Sequence, residues 1–175
     1  MQSQISHIFN ACYRLGYCPE AFRSSTTVVL RKPGKPDYSN PKAWRPISLL
    51  ETLGKVFESI MARRISFLAE TYGLLPETHI GGRVGRLCDH TLHLLLEAVY
   101  EGWKRDKRIA SLLCLDGSGA FDNVSHQRLA HCLRKRQIPE AIINWIMSFL
   151  SNRHISLLLQ EGLCCPNEAV ATGIP

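Results

Sequence analysis

Between Ile109 and Leu115 the chain reads IASLLCL, seven uncharged and mostly apolar residues, and Asp116 follows at once. Seven residues is strand length, and an apolar run without charge suits a strand buried on both faces of a sheet. A carboxylate at the mouth of such a strand is costly unless a cation meets it, and Mg²⁺ is a natural partner. Gly117, Ser118 and Gly119 come next, small residues that allow a tight turn and close approach of another group. Local chemistry leaves a plainer alternative open. Asp-Gly between apolar runs is also an ordinary hairpin turn, and Asp122 with Asn123 are ordinary helix-start residues.

Length bears on whether a sheet can cover that strand. As one domain, 175 residues can bury roughly two-thirds of their unfolded surface. Charge narrows the partner. The whole surplus behind the net +6 lies between Arg23 and Arg64, where nine Lys or Arg face three Asp or Glu, while the rest of the chain balances at twelve of each. Such clustering suits a polyphosphate or nucleic acid, since each neutralised phosphate releases condensed counterions; a merely solvated basic face is the alternative. The seven cysteines form no CxxC pair and read as reduced thiols, with Cys114 a small core residue of the buried strand, and the histidines are too scattered for a zinc site. No apolar run is long enough to span a membrane and the first residues lack signal-peptide form, so an intracellular protein of the nucleus or cytoplasm is expected, not secreted and without a membrane partner.

Taken in order, Ile5, Ile8, Phe9, Cys12 and Leu15 predict an amphipathic helix over 3–16 that stops at Gly16. The β-branched run 26–30 predicts a strand, and residues 31–44, with three Pro and a Gly, a projecting turn that carries Lys32 and Lys35. Arg45 precedes Pro46 and is biased toward extended backbone. A guanidinium so held outward can grip phosphate oxygens in bidentate fashion, with the lysines as mobile point charges for the same polyanion. Leu53, Val56, Phe57, Ile60, Met61, Ile65 and Leu68 share one face of a helix over 52–72 and read as core. Gly81, Gly82 and Gly85 with Arg83 and Arg86 predict a flexible cationic loop that can meet a nucleic-acid strand. Asp89 is the expected cap of a helix over 90–104, whose Leu92, Leu95, Leu96, Val99 and Trp103 pack inward. Two helices over 125–136 and 139–150 follow, the second opened by Pro139 at its first position, and then a strand over 154–160.

LCLDGSGAFDNVSH, ending at His126, resembles the first catalytic motif of reverse transcriptases, in the form found in non-LTR (LINE-like) retrotransposons and particularly fungal ones. KPGKPDYSNPKAWRPISLL resembles their fingers segment, LLPETHIGGRVGRLCDH their second block, and INWIMSFLSNR and the final Gly-x-Pro also have the family's look. Two departures stand out: Leu87 and Cys88 replace the family's hydroxyl residues, and Gly117 replaces a branched apolar one.

The resemblance implies a mixed α+β fold, the fingers and part of the palm of a right-hand polymerase. Residues 1–108 would be the fingers-like basic region, and 109–175 a partial palm with the first catalytic Asp motif, truncated before the palm's second half. It implies an RNA-directed DNA polymerase with an RNA template, a DNA primer and dNTPs as partners and Mg²⁺ or Mn²⁺ as cofactor. By the same resemblance Asp116 is the catalytic, metal-binding carboxylate, assisted by the Gly117 backbone carbonyl. Lys32, Lys35 and Arg45 bind the incoming triphosphate, and Phe121 lies beneath its sugar and excludes a ribose 2′-hydroxyl. Arg83 and Arg86 contact nucleic acid, and Asp122 is structural. The family's Gln-Gly and aromatic-x-Asp-Asp segments do not occur in the sequence. The expectation is therefore a fragment inactive by itself, since one carboxylate cannot hold two hard cations. A non-catalytic nucleic-acid-binding relic of a decayed element is the alternative. WRPISLL and AFDNVSH favour the LINE-like branch over a group II intron maturase or a telomerase-like enzyme.

Overall fold

The computed structural model describes residues 2–107, 109–158, 164–170 and 173, with the backbone alone at 2, 106 and 164–170. Five helices and four strands follow in the order α1 (Gln2–Leu15), β1 (Ser24–Arg31), β2 (Trp44–Leu50), α2 (Thr52–Thr71), α3 (Cys88–Asp106), α4 (His126–Lys135), α5 (Glu140–Leu150), β3 (Arg153–Leu158) and β4 (Cys164–Val170). The fold is mixed α+β. The chain divides into two compact units, residues 1–62 with 119–175 and residues 63–118.

The first unit holds one mixed sheet in the order β2-β1-β3-β4. β1 pairs antiparallel with β2 and parallel with β3, and β3 pairs antiparallel with β4 across a bulge between Ile155 and Leu157. The β-branched residues of β1 announce it in the sequence. β4, CCPNEAV, is disguised by Pro166 and Asn167, which are tolerated because this strand forms the sheet's edge. Residues 159 and 160, expected to continue β3, lie outside the described residues.

Aromatic packing makes the core of this unit. Phe57 of α2, 2% exposed, stacks on Phe9 of α1 at 4.8 Å and meets Trp145 of α5 edge-on at 5.2 Å; Trp145 in turn stacks on Phe149 at 5.3 Å. Met61, Ile142, Ile143 and Leu150 are buried with them. Gly16 ends α1 at φ +59°, and a Cβ there would stand 2.6 Å from Cβ of Asn144. One glycine thus serves both the left-handed turn and the approach of α5. Two arginines are buried at the starts of β1 and β3. Arg23 donates to the Ser151 carbonyl at 3.3 Å, and Arg153 lies over the Phe149 ring at 4.8 Å. Burial lowers the basicity of Arg153. Cys18 is fully buried beside them, and loss of hydration pushes its thiol pKa up to about 11.

Several apolar stripes are narrower than their periodicity suggests. On α1 only Cys12 is buried, with Ile5 and Phe9 half-buried and Ile8 and Leu15 exposed. On α2 Gly54, Phe57 and Met61 are buried, whereas Leu53 and Val56 are exposed. A helix meets a core along a line of contact, and residues at the margins of a wide stripe miss it. α3, in the second unit, half-buries Leu95 and Val99 but exposes Leu92, Leu96 and Trp103. Its N-cap is Leu87, not Asp89, which sits in the first turn where a carboxylate favours the helix dipole.

The larger correction concerns residues 109–115. They form no strand and are exposed, Ile109 by 95% and Leu115 by 86%, and Cys114 is exposed with them. A strand buried on both faces needs hydrogen-bonded neighbours on its edges. The four strands described pair with one another in the first unit, so no strand in the second unit pairs with this run among the described residues.

Candidate nucleotide and nucleic-acid site

The β1–β2 hairpin carries the cationic residues. Arg45 is exposed in β2 opposite Leu30, and its neighbour Trp44 is opposite Arg31. Strand alternation therefore puts Arg45 on one face and the Arg31–Trp44 pair on the other. The extended backbone expected before Pro46 is present, and the guanidinium points away from the core. The loop between the strands is bonded rather than loose. The Lys32 amide donates to the Ala43 carbonyl at 2.9 Å, Lys32 Nζ to the Lys42 carbonyl at 3.0 Å, and the Tyr38 hydroxyl to the Lys32 carbonyl at 2.9 Å. Trp44 Nε1 donates to the Tyr38 carbonyl at 2.8 Å. Arg31 lies 5.2 Å from the centres of both the Tyr38 and Trp44 rings. This cation–aromatic cluster fixes the base of the loop, and sequence reasoning overlooked Arg31. Its signal was there: an arginine at the end of one strand, followed by Tyr38 in the connecting loop and Trp44 at the start of the next strand. Two bonds from Ser39, backbone N–H and hydroxyl, hold the Asp37 carboxyl below its usual pKa. Lys35 is exposed in the same loop.

Phe121 sits in a turn of the first unit and is 68% exposed. The turn is closed by the Asn123 amide donating to the Gly119 carbonyl at 2.9 Å. Ser125 then caps α4, its hydroxyl accepting from the Arg128 amide at 3.4 Å. Gly173 is buried against this turn: its amide donates to the Val124 carbonyl at 3.1 Å, and His126 Nε2 lies 2.8 Å from its carbonyl. The last two residues of the Gly-x-Pro lie outside the described residues.

The second unit holds Asp116 and Gly117, both exposed in the irregular stretch. Asp116 and the Gly117 carbonyl are hard oxygen donors of the type Mg²⁺ accepts. Among the described residues no three His, Cys, Asp or Glu side chains gather as a metal site. One carboxylate and one carbonyl do not fit a pair of ions on their own.

Arg83 and Arg86, expected to act alike, differ. The Arg83 guanidinium clasps Glu70 of α2 through Nε at 2.8 Å and Nη2 at 2.6 Å, and its Nη1 reaches the carbonyls of Pro76 and His79. It ties the glycine-rich loop to the helix and, by its hydrogen bonds, lowers the Glu70 pKa. Arg86 is exposed.

Residues 30–168 match the family model described as "Reverse transcriptase (RNA-dependent DNA polymerase)". The chain belongs to the reverse transcriptase family. Reverse transcriptases of non-LTR retrotransposons are among its relatives. The probable RNA-directed DNA polymerase from transposon X-element of Drosophila melanogaster is 33% identical over 98% of this chain and 18% of its own length. The RNA-directed DNA polymerase from mobile element jockey of the same species is 29% identical over 96% of the chain and 18% of its own length. The Pol polyprotein from the type-1 retrotransposable element R2 of Popillia japonica is 28% identical over 84% and 20%. The chain therefore spans about a fifth of these reverse transcriptases, all from insect elements. The matched span contains Lys32, Lys35, Arg45, Arg83, Arg86, Asp116, Gly117 and Phe121. Among the described residues no helix is long and apolar enough to cross a membrane.

Proposed function

We propose that this chain is the fingers-like region and first part of the palm of a non-LTR retrotransposon reverse transcriptase, and that its own residues recognise the incoming nucleotide. The observation that carries this reading is the β1–β2 hairpin within the family span, with Arg45 exposed in its second strand and Lys32 and Lys35 in its connecting loop. These cations bind the triphosphate, and Phe121 selects the deoxy sugar. Asp116 with the Gly117 carbonyl contributes the first donors for Mg²⁺ or Mn²⁺, and Arg86, with Arg83 behind it, approaches the RNA template and DNA primer. Nucleotidyl transfer by two ions belongs to the longer enzyme, working inside the cell in nucleus or cytoplasm. The division at 108/109 into fingers and palm parts, and the fungal character of the motifs, rest on sequence resemblance.

Two measurements test this. With Mg²⁺, RNA template, DNA primer and dNTPs, the 175-residue chain is expected to give no extension above background; robust extension overturns its incompetence alone. The chain should bind dNTP, and Arg45→Ala should weaken that binding about tenfold, as expected for a charge-assisted hydrogen bond. Absence of triphosphate binding rejects the nucleotide role. A second reading, a non-catalytic nucleic-acid-binding relic, is favoured by the basic surplus between Arg23 and Arg64.

A further inference from the structure

His126 is the first residue of α4, a helix whose N-cap Ser125 is already bonded to the Arg128 amide. The imidazole therefore stands on a fixed mount. Its Nε2 lies 2.8 Å from the Gly173 carbonyl, and because a carbonyl only accepts, Nε2 carries the proton and donates. From the other side the Gly173 amide donates to the Val124 carbonyl at 3.1 Å. Both polar backbone groups of Gly173 are thus taken by residues flanking α4's start. Gly173 has φ +86°, and a Cβ on it would fall 2.9 Å from the Asp122 carbonyl oxygen and 3.1 Å from Asp122 Cα. The residue is pressed against the backbone that follows Phe121, and only a residue without a side chain fits there.

Within the turn whose Asp122 backbone Gly173 meets, the Asn123 amide closes onto the Gly119 carbonyl at 2.9 Å, but little holds the Phe121 side chain itself. Phe121 is largely exposed and the Val124 amide reaches the Phe121 carbonyl only at 3.4 Å. Fixing Gly173 from two sides fixes Asp122, and with it the direction in which the Phe121 ring projects. We infer that His126 is a positioning residue: through Gly173 it braces the Phe121 turn and thereby sharpens the discrimination between deoxyribo- and ribonucleotides. The inference rests on the reading of Phe121 as the residue beneath the sugar.

The experiment follows two readouts in the full chain. Amide hydrogen exchange at Gly173 reports the brace, and the ratio of dissociation constants for UTP and dUTP reports selection. In His126→Ala, Gly173 exchange is expected to rise and the ratio to fall about fivefold, as one lost hydrogen bond allows. His126→Gln, which keeps a donor, restores both. Gly173→Ala, with His126 intact, reproduces the loss from the opposite side and covers the case in which His126→Ala does not fold. Unchanged protection of the amide at position 173, taken relative to its intrinsic exchange rate, in both the His126→Ala and Gly173→Ala proteins overturns the brace. A ratio unmoved by variants that do loosen Gly173 overturns its role in selection. A wild-type chain with no preference for dUTP rejects the reading of Phe121 instead, and the exchange data then decide the brace by themselves.

Discussion

Phe57 and Leu53 lie one turn apart on α2, and one is core while the other faces water. The difference is measurable. Phe57→Ala removes the ring that joins Phe9 to Trp145 and should cost about 3–5 kcal/mol in urea unfolding, while Leu53→Ala should stay within about 0.5 kcal/mol. Cys18 makes a second contrast. Its buried thiol has a pKa of about 11, above the ordinary thiol value of about 8.5. The neutral thiol is therefore favoured by the fold, and its contribution is complete below the unfolded pKa and lost as pH rises toward the folded one. At pH 9 iodoacetamide should modify exposed Cys88 and Cys132 quickly and leave Cys18 protected; equal rates at all three would contradict the burial.

At the scale of elements the two arginines of the glycine-rich loop separate. Arg83→Ala frees the loop from Glu70 and should speed amide exchange over residues 76–86, whereas Arg86→Ala should leave that exchange unchanged. Residues 109–117, irregular and exposed, should be the first site cut in limited proteolysis; protection there would mean the run is covered. How much of this was legible depends on where the information lies. The positions of all five helices and of β1 and β3 could be read from local pattern, because residues such as Gly16 and Pro139 act on their own neighbours, although Pro139 is the N-cap of α5 and not its first residue; of β2 only the extended backbone before Pro46 was expected. Ring partners such as Phe9 and Trp145 could not be read, since they depend on which helices meet. The run 109–115 was misread because its alphabet is that of a buried strand, while pairing is a property of neighbours. For the candidate site, Arg45 and Phe121 carried family motifs, but Arg83's clasp to Glu70 and His126's bond to Gly173 span thirteen and forty-seven residues and leave no periodic trace.

For the whole molecule the basic surplus sets the main expectation. If the segment from Arg23 to Arg64 meets a nucleic-acid backbone, affinity for single-stranded RNA must fall steeply with salt, by a log–log slope of about 0.7 for each phosphate neutralised. A salt-indifferent constant would exclude that surface from binding under either functional reading. The sheet adds something that concerns the birth of the protein rather than its work. β1 pairs on one side with β2, which follows closely, and on the other with β3, residue 24 beside residue 154; the Cys18 amide likewise reaches Ser148 across 130 residues. On a ribosome that interval takes on the order of ten seconds. Throughout it the nascent hairpin holds out an open edge with no partner yet synthesised, long enough for a chaperone, or a neighbouring nascent chain, to reach it first.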